Sequence, residues 1–145
     1  MAVTVKPIKL WRREVDNRAG TLAETLEPLA RSGVDLQSVM GYRFPGNESR
    51  AAIELHPVSG RKATDAARAG GLAPSDIPAL QVDGDNRPGL GHALARALAD
   101  AGINIAFVVA QARGRRYSAI LGFDNAADAR KASAVIRRAS GTARK

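Results

Sequence analysis

Asp85-Asn86-Arg87-Pro88-Gly89 is the second appearance of a phrase first used at Asp16-Asn17-Arg18-Ala19-Gly20, 69 positions earlier. After each copy a Leu/Ala-rich stretch runs to Gly33-Val34-Asp35-Leu36 or Gly102-Ile103-Asn104-Ile105. Aligned without a gap, residues 16–36 and 85–105 agree at seven of 21 positions: the Asp, Asn, Arg and Gly of the phrase, Leu29/Leu98, Ala30/Ala99 and Gly33/Gly102. The spacing exceeds one solenoid unit and falls short of an average domain, so the chain reads as two copies of a small module, residues 1–74 and 75–145.

Composition narrows the possibilities. A lone half of about 70 residues would be marginally stable, whereas a chain of 145 residues buries enough surface to fold well if its halves share a core, so the halves are expected to depend on each other. Apolar residues make up 45% and charged residues 25%, ordinary values for a globular protein. With no apolar run long enough to span a bilayer and no signal-peptide core after Met1, a soluble, cytoplasmic protein is expected. The absence of cysteine and the isolation of His56 and His92 argue against a metal site, and no cofactor is expected. The net charge of +8 raises the question of nucleic acid. Its cations are spread from Lys6 to a basic tail at Arg144-Lys145, and an Arg-rich solvated surface is the plainer reading.

Residues 8–15 read as a strand, and Leu22, Leu26, Leu29 and Ala30 as one face of a helix that Gly33 stops. Residues 34–44 and 49–57 read as strands joined by Pro45-Gly46-Asn47, followed by an Ala-rich helix that Ser59 caps and Gly70-Gly71 ends. The second copy repeats the order: a strand over 77–82 and a helix on Leu90, Leu94, Ala97, Leu98 and Ala101. Strands over 103–112 and 117–123 and a helix capped by Asn125 complete it. Each half is β-α-β-β-α, most of the split β-α-β arrangement of ferredoxin-like folds, an α+β class with antiparallel sheets. A fourth strand must be short or come from elsewhere. In the second copy, Ala2-Val3-Thr4-Val5 or a partner chain would have to supply it. Pro28 inside the first helix should kink or locally unwind it.

The turn before the first helix concentrates polar chemistry. Proline at the first helical position presets φ, and amides at Gly89 and Leu90 would face a carboxylate or phosphate. Asn86 both donates and accepts. Asn104 lies at the far end of the helix and could share a ligand with Asn86 only across an interface between modules. The plainer alternative is that Asp85 and Asn86 cap the helix.

Asp-Asn-Arg-Pro-Gly, a helix of about a dozen residues, then Gly-Ile-Asn-Ile resembles the ACT domain, the small amino-acid-sensing module of metabolic regulators. The resemblance spans both halves, residues 8–70 and 77–140. It implies a βαββαβ fold, pairing of modules, and a small ligand held between them. By that analogy Asn86 and Asn104 match the asparagines that grip the ligand in serine-sensing members, with Arg87, Gly89, Leu90 and Ile105 beside them. In the first copy the corresponding residues are Asn17, Gly20, Thr21 and Asp35. Val15 and Gly84 stand where serine sensors have histidine, so serine is not implied. Asp35 in place of asparagine makes the two sites unequal.

An enzyme is disfavoured, for there is no cysteine nucleophile, G-x-S-x-G elbow or metal-ligand cluster, and both histidines read as surface residues. An RNA-binding alternative would use the hairpin around Tyr117 and a basic stripe of Arg130, Lys131, Arg137 and Arg138. The sequence therefore points to a non-catalytic, amino-acid-binding regulatory protein, homodimeric, that acts on a protein partner.

Overall fold

The first strand of the chain pairs with the sixth. In a computed structural model that describes residues 3–142, β1 (Thr4–Ile8) runs antiparallel to β6 (Ala79–Asp85), with Val5 opposite Val82. Between them the chain forms β2 (Trp11–Asp16), α1 (Thr21–Arg31), β3 (Ser38–Phe44), β4 (Asn47–His56), α2 (Arg61–Ala69) and β5 (Ala73–Pro74). After β6 come α3 (Leu90–Asp100), β7 (Ile105–Arg113), β8 (Arg116–Phe123) and α4 (Ala126–Thr142). The chain divides into two units, Lys9–Asp76 and the rest.

The boundary expected at 74/75 thus shifts to 76/77, and residues up to Ile8 join the second unit. The strand expected over residues 8–15 is split, because Ile8 ends β1 and Trp11 starts β2. Sequence alone does not divide it, since both sides are β-favouring and contiguous. Of the two sources expected for the missing strand, the chain's own N-terminus supplies it. Pro7 is tolerated there because β1 is an edge strand.

Both units share one spatial strand order. The first has sheet order β3-β4-β2-β5 and the second β7-β8-β6-β1, each antiparallel. This is the α+β, ferredoxin-like βαββαβ architecture, with β1 taking the place of the closing strand in the second unit. Helix stops are duplicated too. Gly33 (φ 70°) and Gly102 (φ 73°) adopt the left-handed conformation that glycine reaches without penalty. Val34 and Ile103 then donate back to Leu29 and Leu98, while Gly33 and Gly102 donate to Ala30 and Ala99. These paired bonds form Schellman motifs that satisfy the last carbonyls of each helix.

The second unit's core joins Val3, Val5, Leu80, Val82, Leu94, Leu98, Leu121, Phe123, Val135 and Ile136. Asn125 caps α4 as expected, its Oδ1 accepting from the Asp128 amide at 2.8 Å. Arg137 holds β1 by donating to Val5 O at 2.7 Å. Lys131 donates to Ala101 O at the end of α3.

The first unit's core is Trp11, Val15, Leu29, Ile53, Leu55, Ala66, Ala67 and Leu72. Its first helix is turned by one residue from the expected face. Thr21, Thr25 and Leu29 are buried, whereas Leu22 remains 45% exposed. Thr25 is drawn inward because Arg13 donates to its hydroxyl at 2.8 Å. One repeat later the pair Arg13 and Thr25 is replaced by buried Val82 and Leu94. The helix continues through Pro28 without unwinding. Gly60, not Ser59, occupies the cap position of α2. His56 is buried, not on the surface, because the β4 residues from Ala52 to His56 are covered on both faces.

Removing residues 1–8 is expected to strip hydrogen-exchange protection from β6 while leaving β2 and β4 protected. Equal protection in the two units would show that β1 is dispensable.

Candidate functional site

In both copies the repeated turn is built by the backbone. The Arg18 and Arg87 carbonyls accept from the amides of Thr21 (3.4 Å) and Leu90 (3.3 Å). Gly20 (φ 94°, ψ −17°) and Gly89 (φ 83°, ψ −1°) sit at the third position, the geometry of a type II turn. Helix α3 starts at Leu90, so Pro88 is not its first residue; it occupies the second position of the turn, which favours proline equally. The Leu90 amide is engaged by the turn.

The rest of the phrase ties the turn to the neighbouring hairpin. The Asn17 amide donates to Ser49 O and the Asn86 amide to Arg115 O. Asp16 pairs with Arg50 at 2.6 Å and Asp85 with Arg116 at 3.0 Å, each directly across the ladder. Leu29 and Leu98 are core residues. The shared Asp, Leu and Gly residues therefore have side-chain or conformational roles in folding, whereas the bonds that both copies of the shared Asn, Arg and Ala make come from backbone atoms that most residues supply. The positions where the copies differ carry a second signal.

Sequence-expected residues fall at two ends of each first helix. Asn17, Gly20 and Thr21 stand at the start of α1, and Asp35 lies beyond its end; Asn86, Arg87, Gly89 and Leu90 stand at the start of α3, and Asn104 and Ile105 lie beyond its end. An 11-residue helix is about 16 Å long, so the two groups are apart within a unit. The Asn17 side chain donates to Glu48 O at 2.8 Å and that of Asn104 to Asp124 at 3.4 Å. One guanidinium nitrogen of Arg87 is buried with no hydrogen-bond partner.

A cleft of about 440 Å³ opens beside the turn of the first unit. Asp16, Asn17, Arg18, Thr21 and Leu22 form one side, and Gly41, Arg43 and Ala51 are among the sheet residues opposite. Arg18 is neutralised by Glu24 at 2.8 Å, which raises the arginine's pKa and lowers the glutamate's. The sequence reading missed Leu22, Gly41, Arg43 and Ala51, since the strand residues carry no local motif. Asp35 lines a separate cleft of about 300 Å³ with Ser32, Pro57 and Lys62.

On the other face of the same sheet Glu54 is buried at 1% exposure. The Tyr42 hydroxyl donates to it at 3.1 Å, and Arg12 Nε lies 3.8 Å away. Burial pushes the Tyr42 phenol above its ordinary pKa, with the nearby Glu54 charge adding to the effect and Arg12 opposing it. The hydroxyl is thus committed to Glu54 and not to the cleft.

Four of the residues expected to serve an RNA binder have structural roles. Tyr117 packs against the second unit's core and Phe123 is within it, while Lys131 and Arg137 hold backbone carbonyls. No group of three or more metal-ligating side chains occurs among the described residues. No helix among them is long and apolar enough to cross a membrane.

No protein-family model matches the chain, and no curated protein matches it in sequence. Solved structures do. A protein of Bacteroides thetaiotaomicron shares 19% identity over 88% of this chain and 87% of its own, with a TM-score of 0.71. The ligand-free regulatory subunit of aspartate kinase from Thermus thermophilus shares 18% identity over 100% and 98%, with a TM-score of 0.62. Aspartokinase III of E. coli, solved with aspartate and ADP, shares 12% over 99% of this chain and 33% of its own, with a TM-score of 0.58. At these identities the likeness shows the fold, and it is that of two ACT-type modules in tandem.

Replacing Gly20 or Gly89 by alanine should cost about 1–2 kcal/mol each, the penalty of a left-handed L-residue, in denaturant unfolding. Tyr42→Phe should cost about 1–3 kcal/mol by leaving the buried Glu54 carboxylate without its donor.

Proposed function

We propose that this chain, a tandem of ACT-type modules, is a non-catalytic regulatory protein that binds an amino acid and passes the binding event to a protein partner. The observation that carries the reading is the cleft beside the repeated turn, which Asn17 and Thr21 line. Its volume lies within the range of small-molecule sites, about 300–1,000 Å³. The likeness to the aspartate kinase regulatory subunit supports a regulatory role in the same class of protein.

The turn residues Asn17, Gly20 and Thr21 in the first module, with Asn86, Arg87, Gly89 and Leu90 in the second, are the site's proposed core. Asp35, Asn104 and Ile105 lie one helix length away. They would join a ligand only where a second module presents them to the turn, and a homodimer in the cytoplasm provides such a module. The second module also has an unbonded buried guanidinium nitrogen at Arg87, where Ala93 stands one repeat after the Glu24 that neutralises Arg18.

A thermal-shift panel of the common amino acids tests this. A selective ligand at about 100 times its dissociation constant adds roughly 2.7 kcal/mol of stability, so a chain of this size should melt about 5–10 °C higher. The rise should shrink in Asn17→Ala if the first module's turn holds the ligand, and in the Asn86→Ala/Asn104→Ala pair if the second module's does. A panel with no response, together with salt-sensitive binding of a short RNA, would replace this reading with a nucleic-acid one.

A further inference from the structure

The two modules diverge around the cleft through exchanges of size and charge. Val15 lies opposite Ala51 in the first sheet, and Gly84, one repeat later, lies opposite Tyr117 in the second. Tyr117 therefore stands where Ala51 stands. On the neighbouring edge strands Arg43 is opposite Ala51, and Ala112 is opposite Tyr117. In the first helices Leu22 corresponds to Gly91.

These exchanges are complementary. Ala51 leaves room in the first module, and Leu22 borders that room with a 45% exposed apolar side chain. In the second module the Tyr117 ring packs against the core, and its hydroxyl lies 3.8 Å from where a β-carbon on Gly91 would be. A large strand residue over a bare glycine thus fills the volume that a small strand residue beside an exposed leucine leaves open. Burial has raised the Tyr117 phenol's pKa, as expected of a ring withdrawn from water.

The charges differ in the same sense. Around the first module's cleft Arg18 is paired with Glu24, and Asp16 with Arg50. Arg43 lines the cleft and has no ion pair among the described residues. A guanidinium matches a carboxylate with two parallel hydrogen bonds. Asp16 offers an acceptor suited to an ammonium group, and Leu22 and Ala51 suit a short aliphatic side chain.

We propose that the first module's cleft holds one small α-amino acid per chain, with Arg43 anchoring its carboxylate, and that Tyr117 closes the equivalent position of the second module. This rests on the amino-acid-binding reading and assigns it to one module.

Titration calorimetry on the full chain, with the amino acid that gives the largest thermal shift, tests the assignment. Wild-type protein should saturate at one ligand per chain. Arg43→Ala removes an exposed, unpaired side chain and should weaken binding by about tenfold or more, as expected for loss of a charge-assisted contact of about 1.5–3 kcal/mol. Ala51→Tyr, which transplants the second module's plug, should abolish binding; circular dichroism confirms that each variant is folded. Should Ala51→Tyr not fold, Arg43→Ala decides alone. Full affinity in Arg43→Ala combined with loss in Arg87→Ala would overturn the assignment and leave amino-acid binding standing in the second module. Saturation at two ligands per chain would also overturn it. Failure of every amino acid to bind wild-type protein would overturn the functional reading itself.

Discussion

The architecture depends on five residues of antiparallel pairing, Thr4–Ile8 against Asp83–Ala79. Without them β6 would be an open edge whose unpaired amides and carbonyls invite another chain. Pairing also carries Val3 and Val5 into the second core, where they meet residues more than 70 positions away. The first module is consequently an insertion, entered after β1 and left before β6. Two modules of identical strand order are thus completed differently, the first by its own β5 and the second by β1.

Much of this was legible because the repeat records backbone requirements. Glycine at positions 20, 33, 89 and 102 is demanded by positive φ, and a positive-φ requirement is visible in sequence wherever glycine recurs at fixed spacing. Periodicity located both first helices, and Asn125 announced the last. Apolarity alone misplaced the inner face of α1, since it rewards Leu22 over Thr25. The threonine is buried because its hydroxyl serves Arg13, a partner on another element. Burial of Glu54 and His56 was hidden for the same reason, being decided across the sheet.

The candidate site was half legible. Its turn is written in the repeat, but the shared aspartate and glycine there are already explained by folding. Ala51 and Tyr117 are the informative pair, and they are 66 residues apart while the turns are 69 apart. An alignment without gaps cannot match them. Strand register does, because cross-strand partners are fixed by hydrogen bonding and not by loop length.

The two ends of the first module meet. The Ser75 amide donates to Leu10 O at 2.8 Å, and Lys9 Nζ reaches Ser75 O at 3.0 Å. Joining β1 to β6 across an unstructured connection of some 70 residues would carry a substantial closure entropy. Replacing it by one of about 10 lowers that cost by about 1.7 kcal/mol, from the logarithmic dependence on loop length. Once folded, the inserted module acts as such a short connection. It is a buckle that brings Ile8 and Ile77 together, so folding of the first module lowers the entropic barrier to folding of the second.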